Sequence, residues 1–308
     1  MKTVPAFSLC RLLSWILLAS CLLAVVDAPS LVAQNWPQFR GPTGDGSVAG
    51  KKLVASWKEN ENIRWKVPVP GIGWSSPVIW GEQVWVTSSR NEGRELYAQC
   101  VTRQGELVHD VKVFNVEQPE VKNPLNSFAS PTPAIEEGRL YVHFGTYGTA
   151  CLDTGSGEIL WARRDLALDH QEGPGSSVIL HGDHLIFHCD GRDIQYLVAL
   201  NKHTGKTAWK TTRSIDLSVV GDFARKAFST PLIVKQGGVT QLVSPAAQGC
   251  YSYDPATGKE LWRVRYSGFS AVPSPLFAMG RVHVVADFSK PEIWSIRLDG
   301  RGDVTGSH

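Results

Sequence analysis

The chain of 308 residues is long enough for one large all-β domain or two smaller ones. A formal net charge of +2 does not mark a binder of polyanions, so no nucleic-acid partner is expected. Its 29 Gly, 18 Pro and 11 Trp favour a turn-rich β protein.

Lys2 and Arg11 precede an apolar run from Leu12 to Val26, which reads as an export signal rather than a stable membrane span. Cleavage after Ala28 would leave Pro29 first, so a cut after Ala33 is expected, with residues 1–33 as signal peptide. Leu18-Ala19-Ser20-Cys21 gives the rival reading, a lipobox-like site that would make Cys21 a lipidated first residue and tether the chain to a membrane. Against it, Leu22 to Val26 stay apolar where a lipoprotein usually turns polar. Residues 34–62 form an N-terminal arm, in which Trp36-Pro37-Gln38-Phe39-Arg40-Gly41-Pro42 is extended and expected to pack on the domain surface. Ile63 to Val67 (IRWKV) parallels Glu260 to Val264 (ELWRV) but has no strands of its own before it, which makes it an orphan outer strand.

From residue 63 to 308 the chain is built of repeats. Units open on Ser76-Pro77, Ser130-Pro131, Thr230-Pro231 and Ser274-Pro275, while Ser176-Ser177 keeps the serines and drops the Pro. A Pro is tolerated at a strand's first residue because that N–H need not join the ladder. Period-2 apolar runs bounded by glycine follow, the hairpin signal. Each unit then ends in a turn and a Trp: Asp153, Gly157 and Trp161; Asn201, Gly205 and Trp209; Asp254, Gly258 and Trp262. The polar side chain accepts a bond from a backbone N–H two residues on, and the glycine supplies the φ > 0 position. The first unit reaches Gly105 with a turn one residue short, and His109 stands where Trp is expected. From Gly105 the turn glycine recurs at Gly157, Gly205, Gly258 and Gly302, in steps of 52, 48, 53 and 44. Each step holds four short strands, and units of this size bury their apolar faces on one another. The expectation is an all-β chain, a β-propeller of four-stranded antiparallel blades with about five blade units present and no helix beyond the signal.

The repeated turn resembles the blade motif A-x-D-x-x-T-G-x-x-x-W of pyrroloquinoline-quinone (PQQ)-type β-propellers, a family that includes the propeller lipoprotein of the outer-membrane β-barrel assembly machinery. Residues 198–209 match with Asn201 in the Asp position, 251–262 with Ser252 for the Ala, and 149–161 with Cys151 and Ser156 for the Ala and Thr. The Trp36 to Pro42 segment looks like an opening common in exported propellers of planctomycete-type bacteria. The resemblance implies a ring of seven or eight blades, of which this chain would be a C-terminally truncated part. A closed five-bladed ring completed by Ile63 to Val67 is the other solution. The motif is specific for fold and weak for function, because dehydrogenases and non-enzymatic scaffolds share it.

Two functions are therefore carried. The favoured one is a non-catalytic exported scaffold for envelope proteins, in the periplasm or at the periplasmic face of the outer membrane. It needs no cofactor. The alternative is a PQQ-dependent dehydrogenase-like enzyme, which would need oxygen ligands for Ca²⁺, cationic groups for the quinone carboxylates and an Asp base. Enzymes of that kind use a pair of adjacent cysteines beside the cofactor. Here Cys100, Cys151, Cys189 and Cys250 are isolated, and small buried thiols are the better reading than disulfides. His181, His184 and His188 share one hairpin, but a strand spreads them too far apart for one metal, so no metal site is expected. Asn123, Asn126, His170, Glu172, Asp222, Arg225 and Lys226 all precede innermost strands and would surround one mouth of the central channel. Asp222, Arg225 and Lys226, on the longest loop, are the first choice for a binding surface. Charge reversal at Arg225 and Lys226 is expected to weaken binding and spare stability. Arg301-Gly302-Asp303 spells an adhesion tripeptide that a loop of Gly and charges explains better.

Overall fold

The computed structural model describes residues 35–48 and 53–308, so the expected signal peptide and Cys21 lie outside the described residues. Blade 1 is β1 (Val78–Trp80), β2 (Gln83–Arg90), β3 (Glu95–Thr102) and β4 (Leu107–Asn115). Blade 2 is β5 (Ala134–Glu136), β6 (Arg139–His143), β7 (Thr149–Asp153) and β8 (Ile159–Arg163). Blade 3 is β9 (Ile179–His181), β10 (His184–Asp190), β11 (Gln195–Asn201) and β12 (Thr207–Thr212). Blade 4 is β13 (Leu232–Gln236), β14 (Val239–Ala246), β15 (Gly249–Tyr253) and β16 (Glu260–Arg265). Blade 5 has three strands, β17 (Leu276–Ala278), β18 (Arg281–Ala286) and β19 (Glu292–Arg297). Within every blade the strands pair antiparallel in chain order, and β20 (Gly302–Asp303) lies parallel against β16 as a fifth strand of blade 4. The helical content among the described residues is three single 3-10 turns, at Asn91–Gly93, Gly145–Tyr147 and Asp222–Arg225. No helix there is long and apolar enough to cross a membrane.

Three kinds of contact join consecutive blades. The first is apolar: alternate residues of a strand face opposite neighbours, so Leu140 and Val142 of β6 pack towards blade 1 while Tyr141 packs towards blade 3. Each of the four blade interfaces thereby holds its own buried cluster. The second is the Trp of the repeated turn. Trp161 lies on Gly205 of the next blade and donates its indole N–H to Lys202 O (2.9 Å); Trp209 lies on Gly258 and donates to Pro255 O (3.1 Å). Gly205 and Gly258 have φ of +70° and +72°, and a Cβ on either would fall within 2.7 Å of the ring. The turn glycine is thus a left-handed residue and a seat for an indole at once. His109 takes the same seat over Gly157, stacked on Trp85.

The third contact is a relay of hydroxyls close to the channel. Ser76 N donates to Thr132 Oγ1, Thr132 N to Ser177 Oγ and Ser177 N to Thr230 Oγ1, all at 2.9–3.0 Å. This accounts for a hydroxyl at the opening of blades 2, 3 and 4, which satisfies a backbone donor of the blade before it, whereas Ser274 at the opening of blade 5 makes no such bond among the described residues.

Two expectations change. Residues 63–67 form no strand, and none of them pairs with β19. An outer strand exists only by hydrogen bonding to a neighbour, and no ladder is offered here. Trp65 nevertheless donates to Arg103 O (2.7 Å) and covers Gly105, repeating the contact of Trp161 and Trp209. In the fifth unit Gly302 pairs with Trp262, and the indole of Trp262 bonds Gln241 Oε1 in its own blade instead of a following turn.

The arm crosses the innermost strands on the face of the hairpin turns. Trp36 exchanges both backbone bonds with Ile79 (2.9 and 2.8 Å), Pro37 O accepts from Ile135 N (2.8 Å), and Gly44 abuts Leu232. It ties the innermost strands of blades 1, 2 and 4.

Candidate functional site

The loops between blades, residues 116–133, 164–178, 213–231 and 266–275, gather on the opposite face around the channel mouth. Lys226 is the central group. Although expected on display, it is 1% exposed. Its Nζ donates to Gln171 Oε1 (2.8 Å) and Phe223 O (3.1 Å), lies 3.5 Å from the centre of the Phe223 ring, and faces Glu172 Oε1 at 3.9 Å. Burial pushes its pKa down, with Glu172 opposing the shift. Lys226 therefore clasps two inter-blade loops, and reversing its charge would unsettle them instead of sparing stability.

Glu172 continues the network. Its Oε2 accepts from Asn123 Nδ2 (3.0 Å), and its backbone O accepts from Asn126 Nδ2 (2.7 Å). The structure thus brings Asn123, Asn126, Glu172 and Lys226 together. Three other candidates are directed elsewhere. Arg225 spends its guanidinium on Val220 O, Asp222 is exposed and faces Arg192 at 3.9 Å, and His170 is buried with Nε2 accepting from Thr146 N (3.0 Å).

Burial lowers the His170 pKa to about 4. The unfolded chain, with its histidine near about 6.5, takes up this proton first as pH falls. The contribution is complete above pH ~6.5 and drains away towards pH ~4, at up to ~1.4 kcal/mol per pH unit. Thermal melts of His170→Gln should consequently decline less steeply from pH 7 to pH 5 than those of the parent chain. Parallel slopes would show that His170 has no such role.

Above the clasp lies a cavity of about 670 Å³ walled by Trp74, Phe223, Phe228 and Phe288, with Glu172 and Lys226 as its only ionised groups. Sequence reading missed these rings. Trp74 and Phe228 each stand two residues before the Ser76-Pro77 and Thr230-Pro231 openings, with no motif of their own, and Phe288 lies 60 residues from the nearest of the other rings. Beside the Glu172 carboxylate the lining offers the amide oxygens of Asn123 and Asn126, which already accept from Leu125 N and from Ser127 N and Ser130 Oγ. This falls short of the roughly six to eight oxygens that Ca²⁺ takes, and one ammonium group, already engaged, is a poor match for several quinone carboxylates. The lining does not fit PQQ with calcium. No group of His, Cys, Asp and Glu arranged to hold a metal occurs among the described residues.

A second polar cluster lies between blades 3 and 4. Arg213 grips Asp190 with two bonds (3.0 and 2.6 Å) and donates to Ser244 Oγ (2.7 Å), which also meets His188 Nε2 (2.8 Å). The order serine, histidine, acid is that of a hydrolase, but Asp190 is held by Arg213, and every member is shielded from solvent. Its role is to join blades. The four cysteines are likewise buried free thiols, pushed up to about 11 or 12 by burial, and Asp303 of the Arg-Gly-Asp triplet is bound by Arg263 and Arg265.

Known proteins place this architecture. No curated protein matches the sequence. Among solved structures, quinohemoprotein alcohol dehydrogenase from Comamonas testosteroni is similar at 12% identity with a TM-score of 0.57, over 88% of this chain and 48% of that one. BamB from Moraxella catarrhalis is similar at 14% identity with a TM-score of 0.49, over 76% of this chain and 73% of that one. The chain thus spans about half the length of the dehydrogenase, and the likeness concerns the propeller fold alone. A family model described as outer membrane protein assembly factor BamB matches residues 115–242 and 194–302, from the end of blade 1 through blade 5. With more than half of its residues inside that model, the chain belongs to the BamB family of PQQ-like β-propellers.

Proposed function

We propose that the chain is a non-catalytic scaffold of the cell envelope, exported by its N-terminal segment, which holds partner proteins on the inter-blade loop face. The observation that carries this reading is the apolar rim of the channel mouth: Trp74 and Phe288 are each 58% exposed, and Leu125 is 88% exposed. Large apolar side chains gathered in one place mark an interaction surface. The family supports a role in outer-membrane protein assembly, and the poor donor set for calcium and quinone argues for a scaffold over a dehydrogenase.

The test is photo-crosslinking in intact cells from p-benzoylphenylalanine placed at Leu125 or, as a control on the hairpin face, at Val239. A defined envelope protein should be captured from position 125 and not from 239. Capture of no protein from 125, or saturable PQQ binding with dye-linked alcohol oxidation in the presence of Ca²⁺, would sink the scaffold reading.

A further inference from the structure

We infer that the cavity above Lys226 is a socket for one uncharged aromatic side chain, presented by an extended segment of the partner polypeptide. This rests on the scaffold reading and names what the loop face grips. Rings from separate parts of the chain converge there: Trp74 from the start of blade 1, Phe223 and Phe228 from the loop before blade 4, and Phe288 from blade 5. They are held in place before any partner arrives. The Trp74 indole donates to Leu125 O (3.0 Å), and Phe223, Phe269 and Phe288 form an edge-to-face series with centroids 5.3 and 5.4 Å apart. Preset rings accept another ring with little ordering cost.

Charge selects the occupant further. Lys226 and Glu172, the two ionised groups of the lining, oppose each other at 3.9 Å, so the socket has no net charge to offer an ionic guest. A charged side chain entering it would lose hydration without gaining a counter-ion. Glu172 Oε1 faces Lys226 Nζ at 3.9 Å but accepts no hydrogen bond among the described residues, which leaves it able to take a backbone N–H flanking the inserted side chain. The volume of about 670 Å³ leaves room for that backbone beside the ring. Leu125 and Val272, on the rim, extend the apolar area beyond the rings. A polypeptide covers such aliphatic flanks, whereas a sugar stacked on Trp74 would leave them in water.

The experiment uses small probes on the purified chain, so that it reads the socket whether or not the natural partner is in hand. Tryptophan-labelled protein is titrated by NMR with N-acetylphenylalaninamide, N-acetyllysinamide and cellobiose, the Trp74 indole signal being assigned with Trp74→Phe. The phenylalanine probe should shift that signal saturably, with the lysine probe at least about tenfold weaker and binding at least about tenfold weaker in Phe288→Ser, a loss of ~1.4 kcal/mol. Phe288 is largely exposed, so this variant keeps its fold, and its dispersed spectrum verifies that. No saturable shift up to the solubility limit, equal binding of the lysine probe, or preference for cellobiose would each overturn the socket. A partner still cross-linked from position 125 alongside such a result would leave the scaffold reading standing alone.

Discussion

Arg213→Met is expected to destabilise the chain by roughly 3–5 kcal/mol, because it removes the one cation that compensates a fully buried carboxylate. Asp190 accepts two bonds from that guanidinium, and Arg213 also reaches Ser244 and Tyr253 across the interface of blades 3 and 4. Burial pushes the Asp190 carboxyl up, and Arg213 is what opposes it. In the variant the carboxyl has a raised folded pKa, so its neutral form favours the folded state. The deficit against the parent chain should accordingly shrink as pH is lowered from 7 to 5. Pairing the change with Asp190→Leu should recover much of the loss, as an apolar pair replaces the ionic one. Urea unfolding of the parent chain, both single variants and the double variant measures this, and a loss under about 1 kcal/mol in Arg213→Met would mean that the network is not what joins these blades.

The indole seat makes the second large effect. Trp209→Ala should cost roughly 3–5 kcal/mol, the range for emptying a buried aromatic site, since Trp209 is buried against blade 4 and bonds Pro255 O. Gly258→Ala attacks the same contact from the other side. Its Cβ would fall 2.5 Å from the Trp209 ring at a residue with φ of +72°. With Trp209 already gone, what remains is the left-handed backbone strain, about 1–2 kcal/mol, and a contact of 2.7 Å with Thr211 Oγ1, a small side chain that can turn away. The double variant should therefore be much less unstable than the sum of the singles. Additivity would show that the indole is not what requires glycine at position 258.

The blades were legible because their signals are local. Asp153, Asn201 and Asp254 each accept N–H groups within their own turns, and the glycines after them take the left-handed conformation. The site was legible only where position in the repeat decides it. Asn123, Asn126, Glu172 and Lys226 precede innermost strands and do meet at one mouth. What sequence does not reveal is direction. Lys226 and Arg225 are neighbours of like charge, yet one turns inward to Gln171 and the other to Val220 O. Gln171, the residue that receives the ammonium, has φ of +64° and no motif to announce it. Residues 63–67 were misread for a similar reason: a strand-like pattern does not guarantee a neighbour to pair with.

The hydroxyl relay has a bearing on how such an array is inherited. The three junctions from blade 1 to blade 4 share one direction, from an N–H in one unit to a Ser or Thr hydroxyl in the next, at Thr132, Ser177 and Thr230. Nothing in such a junction counts the units. A gene duplication that inserts one whole repeat between Ser177 and Thr230 presents the newcomer with a donor on one side and an acceptor on the other, so both seams close at once. Insertion of half a repeat would leave a buried N–H without its acceptor. Copy number can therefore change by integers while the register of these seams is preserved, and differences in repeat length are left to the parts of the loops that precede Thr132, Ser177 and Thr230.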